Sequence, residues 1–260
     1  MKSSEKVIDY IVNWLNDYTD KSGMNGFVVG VSGGIDSALT STLCAQTGKP
    51  VLCLEMPIHQ EANQVTRAQE HIAWLESKYP NVSHYSLSLT GVFESFQELL
   101  PSTTDEESKF LSLANTRARL RMTTLYYFAA LERYLVAGTG NKIEDFGVGF
   151  YTKYGDGGVD LSPIADLMKS EVFLLAKNLG VIDSIQQAAP TDGLWGDDRT
   201  DEDQMGAKYN ELEWAMKHVN STSENDTDRQ KEVLAIYRKL HGQNQHKMQP
   251  IPVCEIPADL

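Results

Sequence analysis

A short apolar run, Phe27-Val28-Val29-Gly30-Val31, ends in Ser32-Gly33-Gly34-Ile35-Asp36-Ser37, and helical spacing follows from Ala38 to Gln46, where Gly48 stops it. The same order then repeats. Val51 to Met56 reads as a second buried strand, a helix is expected from about Glu61 to Tyr79, and Ser83 to Leu89 alternates as a third strand. Ahead of all this, Val7, Ile8, Ile11, Val12, Leu15 and Tyr18 share one face of an amphipathic helix over residues 5–19. Strands that alternate with helices cannot pair as hairpins. They form a parallel sheet with helices on its faces, so the expected class is α/β, a doubly wound, mostly parallel, Rossmann-like sheet.

Farther on, residues 107–134 lack Gly and Pro and predict a long helix running into a fourth strand, Leu135 to Gly138. Gly147 to Gly158 is rich in glycine and aromatics and predicts an irregular excursion over the C-terminal edge of the sheet. Met168 to Leu179 predicts another helix. Asp192 to Glu213 holds eight acids against Arg199 and Lys208, which predicts a solvated acidic loop and helix, a candidate flap. A polar gap at 220–228 precedes a last helix, and prolines extend the tail from Gln249. No repeat or domain-sized linker interrupts the chain, so one domain spanning 1–260 is expected.

Composition narrows the function classes. There are 23 Lys plus Arg against 36 Asp plus Glu, a net charge of −13, and such a chain repels polyanions. Nucleic acid is therefore a poor expected partner. No run approaches the ~18 apolar residues of a membrane span, and the first residues lack a signal-peptide pattern, so a cytoplasmic, membrane-free protein is expected. Hydrophobic residues at 41% supply a sizeable core. Cys44, Cys53 and Cys254 are odd in number and widely spaced, which offers neither a disulfide framework nor a CxxC pair.

The turn at residues 32–37 carries the chemistry. A glycine turn between a strand and a helix N-terminus presents backbone N–H groups and the positive end of the helix dipole to an anion. Ser32 and Ser37 add hydroxyl donors. Asp36 would repel a phosphate unless a cation lay between them, which points to Mg²⁺. Without a following Lys this is not the GxxxxGK[ST] loop. A plain tight turn with Asp36 compensating the helix dipole is the alternative.

SGGIDS after a strand resembles the pyrophosphate loop of the N-type ATP pyrophosphatases. Three later strings narrow the likeness: Asn115-Thr-Arg-Ala-Arg119-Leu-Arg121, Gly138-Thr-Gly-Asn-Lys-Ile-Glu144, and Lys153-Tyr-Gly-Asp-Gly-Gly-Val-Asp160-Leu-Ser-Pro163. In that order they resemble the NAD synthetases, from about residue 5 to His246-Lys247. The resemblance implies ATP contacts from Gly30, Val31, Ser32, Gly33, Gly34, Ile35, Asp36, Ser37, Thr139, Lys169 and Thr191, with Asp36, Lys169 and Thr191 in catalysis. It implies deamido-NAD contacts from Arg119, Lys153, Asp160, His246 and Lys247, magnesium on Asp36 and Glu144, and a homodimer that builds the dinucleotide site.

Residue chemistry bears on several of these. Glu144 lies just past the fourth strand, where doubly wound sheets bind ligands, and can meet Asp36 across the crevice; a solvated acid at a helix start is the alternative. Lys169 opens a helix, a place the dipole disfavours for a cation, so a triphosphate partner is expected. On the long helix Arg117 and Arg121 lie among apolar residues and Arg119 lies roughly opposite, at about 100° per residue.

The implied reaction is ATP-dependent amidation of deamido-NAD to NAD. The nicotinate carboxylate is adenylated with release of pyrophosphate, and ammonia then displaces AMP. No nitrilase-like amidase segment remains once the synthetase pattern is placed, so ammonia rather than glutamine is the expected donor. A tRNA-modifying ATP pyrophosphatase and a non-catalytic nucleotide-binding module are the rival classes. The acidic charge and scattered cysteines weigh against the first, and the retained metal carboxylates and Lys169 against the second.

Overall fold

The computed structural model describes residues 3–191, 200–221 and 225–259. Its four strands, β1 (Gly26–Gly30), β2 (Val51–Glu55), β3 (Val82–Ser86) and β4 (Tyr134–Val136), form one parallel sheet in the order β3-β2-β1-β4. The central strands are buried on both faces, as parallel strands covered by helices must be. Phe27, Val29, Val51, Cys53 and Leu135 join one core cluster, while Val28, Leu52, Leu54 and Val136 join another, a period-2 division.

The first face is covered by α1 (Ser4–Ser22), α2 (Ile35–Gln46), α3 (Ala62–Lys78) and α6 (Lys169–Asn178), with the single turn α7 (Asp183–Gln186) beside them. The second face is covered by α5 (Glu106–Glu132), against which α4 (Thr90–Glu98) packs. A third cluster gathers α8 (Asp201–Met205), α9 (Tyr209–His218), α10 (Asp228–Met248) and a π-helical turn at Ile143–Val148. The expected α/β sheet is present, and Cys44 and Cys53 are core residues as their apolar context suggests; burial raises both thiols, Cys53 to about 12.

Helix α2 is almost wholly buried from Ile35 through Ala45, hydroxyl residues included. It tolerates them because they bond back to its own carbonyls: Thr42 Oγ1 donates to Ala38 O (2.7 Å) and Ser41 Oγ to Ser37 O (2.8 Å). Such a helix has no polar face, which is why its first turn escapes the periodic pattern and lies three residues before the expected start.

Three elements depart from the sequence expectations. Helix α4 buries only Phe93, so it carries too few inward residues to declare a period. The π-helical turn follows neither the 3.6 nor the 2.0 repeat. The acidic stretch differs from the solvated flap that its composition predicts. Residues 192–199 of it lie outside the described residues, but 200–213 is packed structure. Met205, Ala207, Tyr209 and Leu212 are core there, and the acids serve helix ends. Asp203 Oδ2 accepts from Thr200 N (3.0 Å), Glu211 Oε2 from Lys208 N (2.9 Å), and Glu213 Oε1 from Ser170 N (2.9 Å).

His71 of α3 is fully buried, stacked on Trp74, with Nε2 3.0 Å from Ser41 Oγ. The Ser41 hydroxyl is already donating to Ser37 O, so it accepts from a neutral imidazole protonated on Nε2. Burial pushes the His71 pKa from 6.5 down to about 4. Between those values the unfolded chain binds a proton that the native state refuses, so this contribution to stability falls as pH drops through the window, by about 3 kcal/mol in all. Urea unfolding across that range is expected to show a weaker pH dependence in His71→Gln than in the parent; equal slopes would contradict it.

Candidate active site

Strands β1 and β4 are neighbours, yet the chain leaves β1 toward β2 and returns to β4 on the other side. Their C-terminal ends therefore flank a topological switch point, the crevice where open α/β sheets bind ligands. A cavity of about 880 Å³ opens there. All the residues expected to contact ATP line it: the loop residues 30–37, Thr139, Lys169 and Thr191, together with Glu144.

The loop is shaped by its own side chains. Ser37 Oγ accepts from Ser32 N (3.2 Å) and donates to Gly34 O (2.9 Å), while Ser32 Oγ accepts from Gly34 N (3.3 Å). Ser37 thus builds the loop, and exposed Ser32 lies at its mouth. Gly33 is required twice over. Its φ is +81°, and a Cβ there would come within 2.6 Å of Gln64 O on α3. Arg67 Nε reaches Gly33 O at 3.4 Å from the same helix.

Asp36, Glu144 and Lys169 meet inside the cavity. The Lys169 ammonium lies 2.5 Å from Asp36 Oδ2 and 3.0 Å from Glu144 Oε1, and its side chain is 3% exposed. Burial pulls the Lys169 pKa down, but the two carboxylates outweigh it and the ammonium persists well above its ordinary range. The same carboxylates offset the unfavourable dipole at the start of α6, so Lys169 has protein partners where the sequence reading expects a triphosphate. Asn141 joins the segments: Nδ2 donates to Asp36 Oδ1 (3.1 Å), and Oδ1 accepts from Ile143 N (3.1 Å) and Glu144 N (3.2 Å), fixing the start of the π-helical turn.

These residues suit a nucleotide-borne magnesium ion. Asp36 and Glu144, brought together around the Lys169 ammonium, carry the hard oxygen donors that Mg²⁺ prefers. Among the described residues no cluster of three or more His, Cys, Asp or Glu is arranged to hold a metal by itself. Phosphate oxygens and water would complete the shell, the usual manner of magnesium in phosphoryl chemistry.

Four of the five residues expected at deamido-NAD come together, and one of them, Lys247, lines this cavity. Arg119 is exposed and donates to Lys153 O (3.3 Å), Lys153 Nζ donates to His246 O (2.6 Å), and Lys247 Nζ donates to Gly149 O (2.8 Å) and Tyr151 O (2.7 Å). His246 and Lys247 sit on the last turn of α10. Asp160 stands apart. It accepts from Val136 N (2.8 Å) and the Tyr126 hydroxyl (3.0 Å), beside a second groove that Trp14, Tyr18 and Phe146 help to line. Of the inward arginines, Arg117 lies over the rings of Phe93 and Phe110, and Arg121 enters the main cavity wall, donating to Met56 O (3.0 Å) and Gln60 Oε1 (2.8 Å).

Sequence reasoning missed Asn141, Arg67, and Tyr209 with Asp201. Asn141 lies inside a string already singled out, and an amide two residues before a helical turn is a capping signal. Tyr209 had no local signal, because the carboxylate it touches is 65 residues away.

Gly33→Ala is expected to force the loop or α3 aside by tenths of an ångström or more, and displacements of that order cost up to about a hundredfold in turnover. Steady-state kinetics with varied ATP check it; parent-like kinetics would show that the close approach is dispensable.

The chain matches the NAD synthase family over residues 7–251. It is 37% identical over 244 residues to the NH(3)-dependent NAD(+) synthetase of Carboxydothermus hydrogenoformans, covering 94% of each chain. Among solved structures it is similar to NMN synthetase from Francisella tularensis, with a TM-score of 0.85 at 34% identity over 99% of this chain and 100% of that one. It is also similar to the NH3-dependent NAD synthetase of Campylobacter jejuni, with a TM-score of 0.77 at 27% identity over 97% and 100%. By the match along nearly its whole length and the identity to these relatives, the chain belongs to the NAD synthase family.

Proposed function

We propose that this chain amidates the nicotinate carboxylate of deamido-NAD, with ATP as the adenylating cosubstrate and ammonia as the nitrogen donor. The observation that carries this is the convergence of Asp36, Glu144 and Lys169 beneath the Ser32–Ser37 loop at the switch point. Relatives called NH(3)-dependent synthetases, matched along nearly their whole length, support the donor.

A free carboxylate resists ammonia because oxide is a poor leaving group. Attack of that carboxylate on the ATP α-phosphate expels pyrophosphate and yields a mixed anhydride. Ammonia then adds to the acyl carbon, AMP leaves, and the added nitrogen sheds a proton to give the amide. Negative charge grows on the phosphates in the first step. The loop N–H groups, the α2 N-terminus and the Lys169 ammonium supply fixed positive potential for it. Magnesium, held by Asp36 and Glu144, neutralises phosphate charge when bound. No side-chain nucleophile is required, so the contribution is mainly positioning.

Homodimerisation belongs to this proposal. Leu111, Tyr127 and Leu131 on α5 and Val92, Phe96 and Leu99 at α4 are exposed, apolar side chains that a second copy would cover. A cytoplasmic location is part of it too; among the described residues no helix is long and apolar enough to cross a membrane.

A second reading concerns the length of the acceptor. The similarity to an NMN synthetase favours nicotinate mononucleotide, which presents the same carboxylate without the adenylate half. Purified protein should be given Mg²⁺-ATP and ammonium with either acceptor, and pyrophosphate, AMP and amide measured. Equal yields of the three products from deamido-NAD, lost in Asp36→Ala, are expected. Faster turnover of the mononucleotide would establish the second reading. Efficient turnover with glutamine and no ammonium would overturn the donor, and no acceptor-dependent pyrophosphate from folded protein would overturn both readings.

A further inference from the structure

Tyr209, the first residue of α9, is 6% exposed and reaches into the site from the helical cluster rather than from the sheet. Its hydroxyl donates to Glu144 Oε1 at 2.6 Å, and Asp201 Oδ2 lies 3.3 Å away. The Lys169 ammonium lies 4.7 Å from the centre of its ring. The backbone N–H of Tyr209 is held by Glu202 Oε1 at 2.9 Å, so both ends of the residue are tied to α8.

Glu144 Oε1 therefore receives two donors, Tyr209 and Lys169, while no described residue donates to Oε2. A carboxylate held by one oxygen from two directions has its χ angles fixed, and its second oxygen is left for another ligand. Burial, with the charges of Glu144 and Asp201, keeps the phenol protonated and hence a donor.

We propose that Tyr209 is a positioning residue for this site, orienting Glu144 so that one carboxylate oxygen stays on Lys169 and the other serves the cation that accompanies the nucleotide. The proposal rests on the nucleotide-dependent reading above. It also makes α8 and α9 a mechanical part of the metal-binding apparatus.

The test is Tyr209→Phe in the full chain, which keeps the ring in its packing and over Lys169 and removes only the hydroxyl. Losing one hydrogen bond to a charged acceptor is expected to cost about tenfold. The half-saturating Mg²⁺ concentration at fixed ATP should rise by that factor and kcat fall, with KM for the acceptor unchanged. In a double-mutant cycle with Glu144→Gln, the second substitution should add little, because both act through one carboxylate. Mn²⁺ binding in the presence of ATP, followed by electron paramagnetic resonance, needs no turnover and should weaken in parallel. Unchanged Mg²⁺ and Mn²⁺ dependence, or losses that multiply independently in the cycle, would overturn the proposal. If the parent protein turned over neither acceptor, the functional reading would fail while the Mn²⁺ measurement still decided the role of Tyr209.

Discussion

A nearly buried ammonium shared by two carboxylates governs the rest of this structure. Lys169 is 3% exposed, and taking such a charge from water costs several kcal/mol unless opposite charges and hydrogen bonds meet it. They do so only because three segments far apart in sequence end at one point. The turn after β1 delivers Asp36, the turn after β4 delivers Glu144, and the first turn of α6 delivers Lys169. Asn141 bolts the first two together, and Tyr209 braces the second from α9. Removing any partner would leave charge stranded in a low-dielectric place, so the arrangement is maintained as a set.

The sheet and the helical cluster divide the work. The two faces of the sheet are closed by apolar packing that needs nothing from the site. The third core, where α8, α9 and α10 wrap the π-helical turn, converts the ragged C-terminal edge of a four-stranded sheet into a walled cavity. Glu144 sits in the π-helical turn, between the sheet and this cluster, and Lys247 on α10 grips the carbonyls of residues 149 and 151 that follow. The acids of α8 and α9, which by composition look like a solvated fringe, are spent on helix ends and on Tyr209.

The charge balance agrees with the proposed chemistry. A chain of net charge −13 has little general attraction for anions, yet Arg67, Arg121, Lys169 and Lys247 all line the switch-point cavity. Carboxylates line it as well, which under the proposed reaction suits a phosphate group that arrives with a divalent cation. Specificity of that kind depends on local placement and is insensitive to the sign of the whole surface.

Much of this was legible in the chain alone. The strand–helix alternation pointed to a parallel sheet, because each helix carries the chain back so that the next strand runs in the same direction. Ser32-Gly33-Gly34 and Asp36 marked the turn after the first strand as a candidate site, because glycines, hydroxyls and a carboxylate fall on consecutive residues of one turn. Other features rest on contacts between distant segments, for which local sequence carries no signature. The buried α2 has no polar stripe to betray its length, the π-helical turn obeys neither common period, and Asp160 stands by a second groove although it shares a string with Lys153. Tyr209 touches Glu144 across 65 residues, and Lys169 has carboxylate partners that its own helix could not reveal. The sequence by itself thus determined the class of fold and the place of one loop in it. Only the tertiary structure decided which charges would face one another, because desolvation is offset by neighbours in space and not by neighbours along the chain.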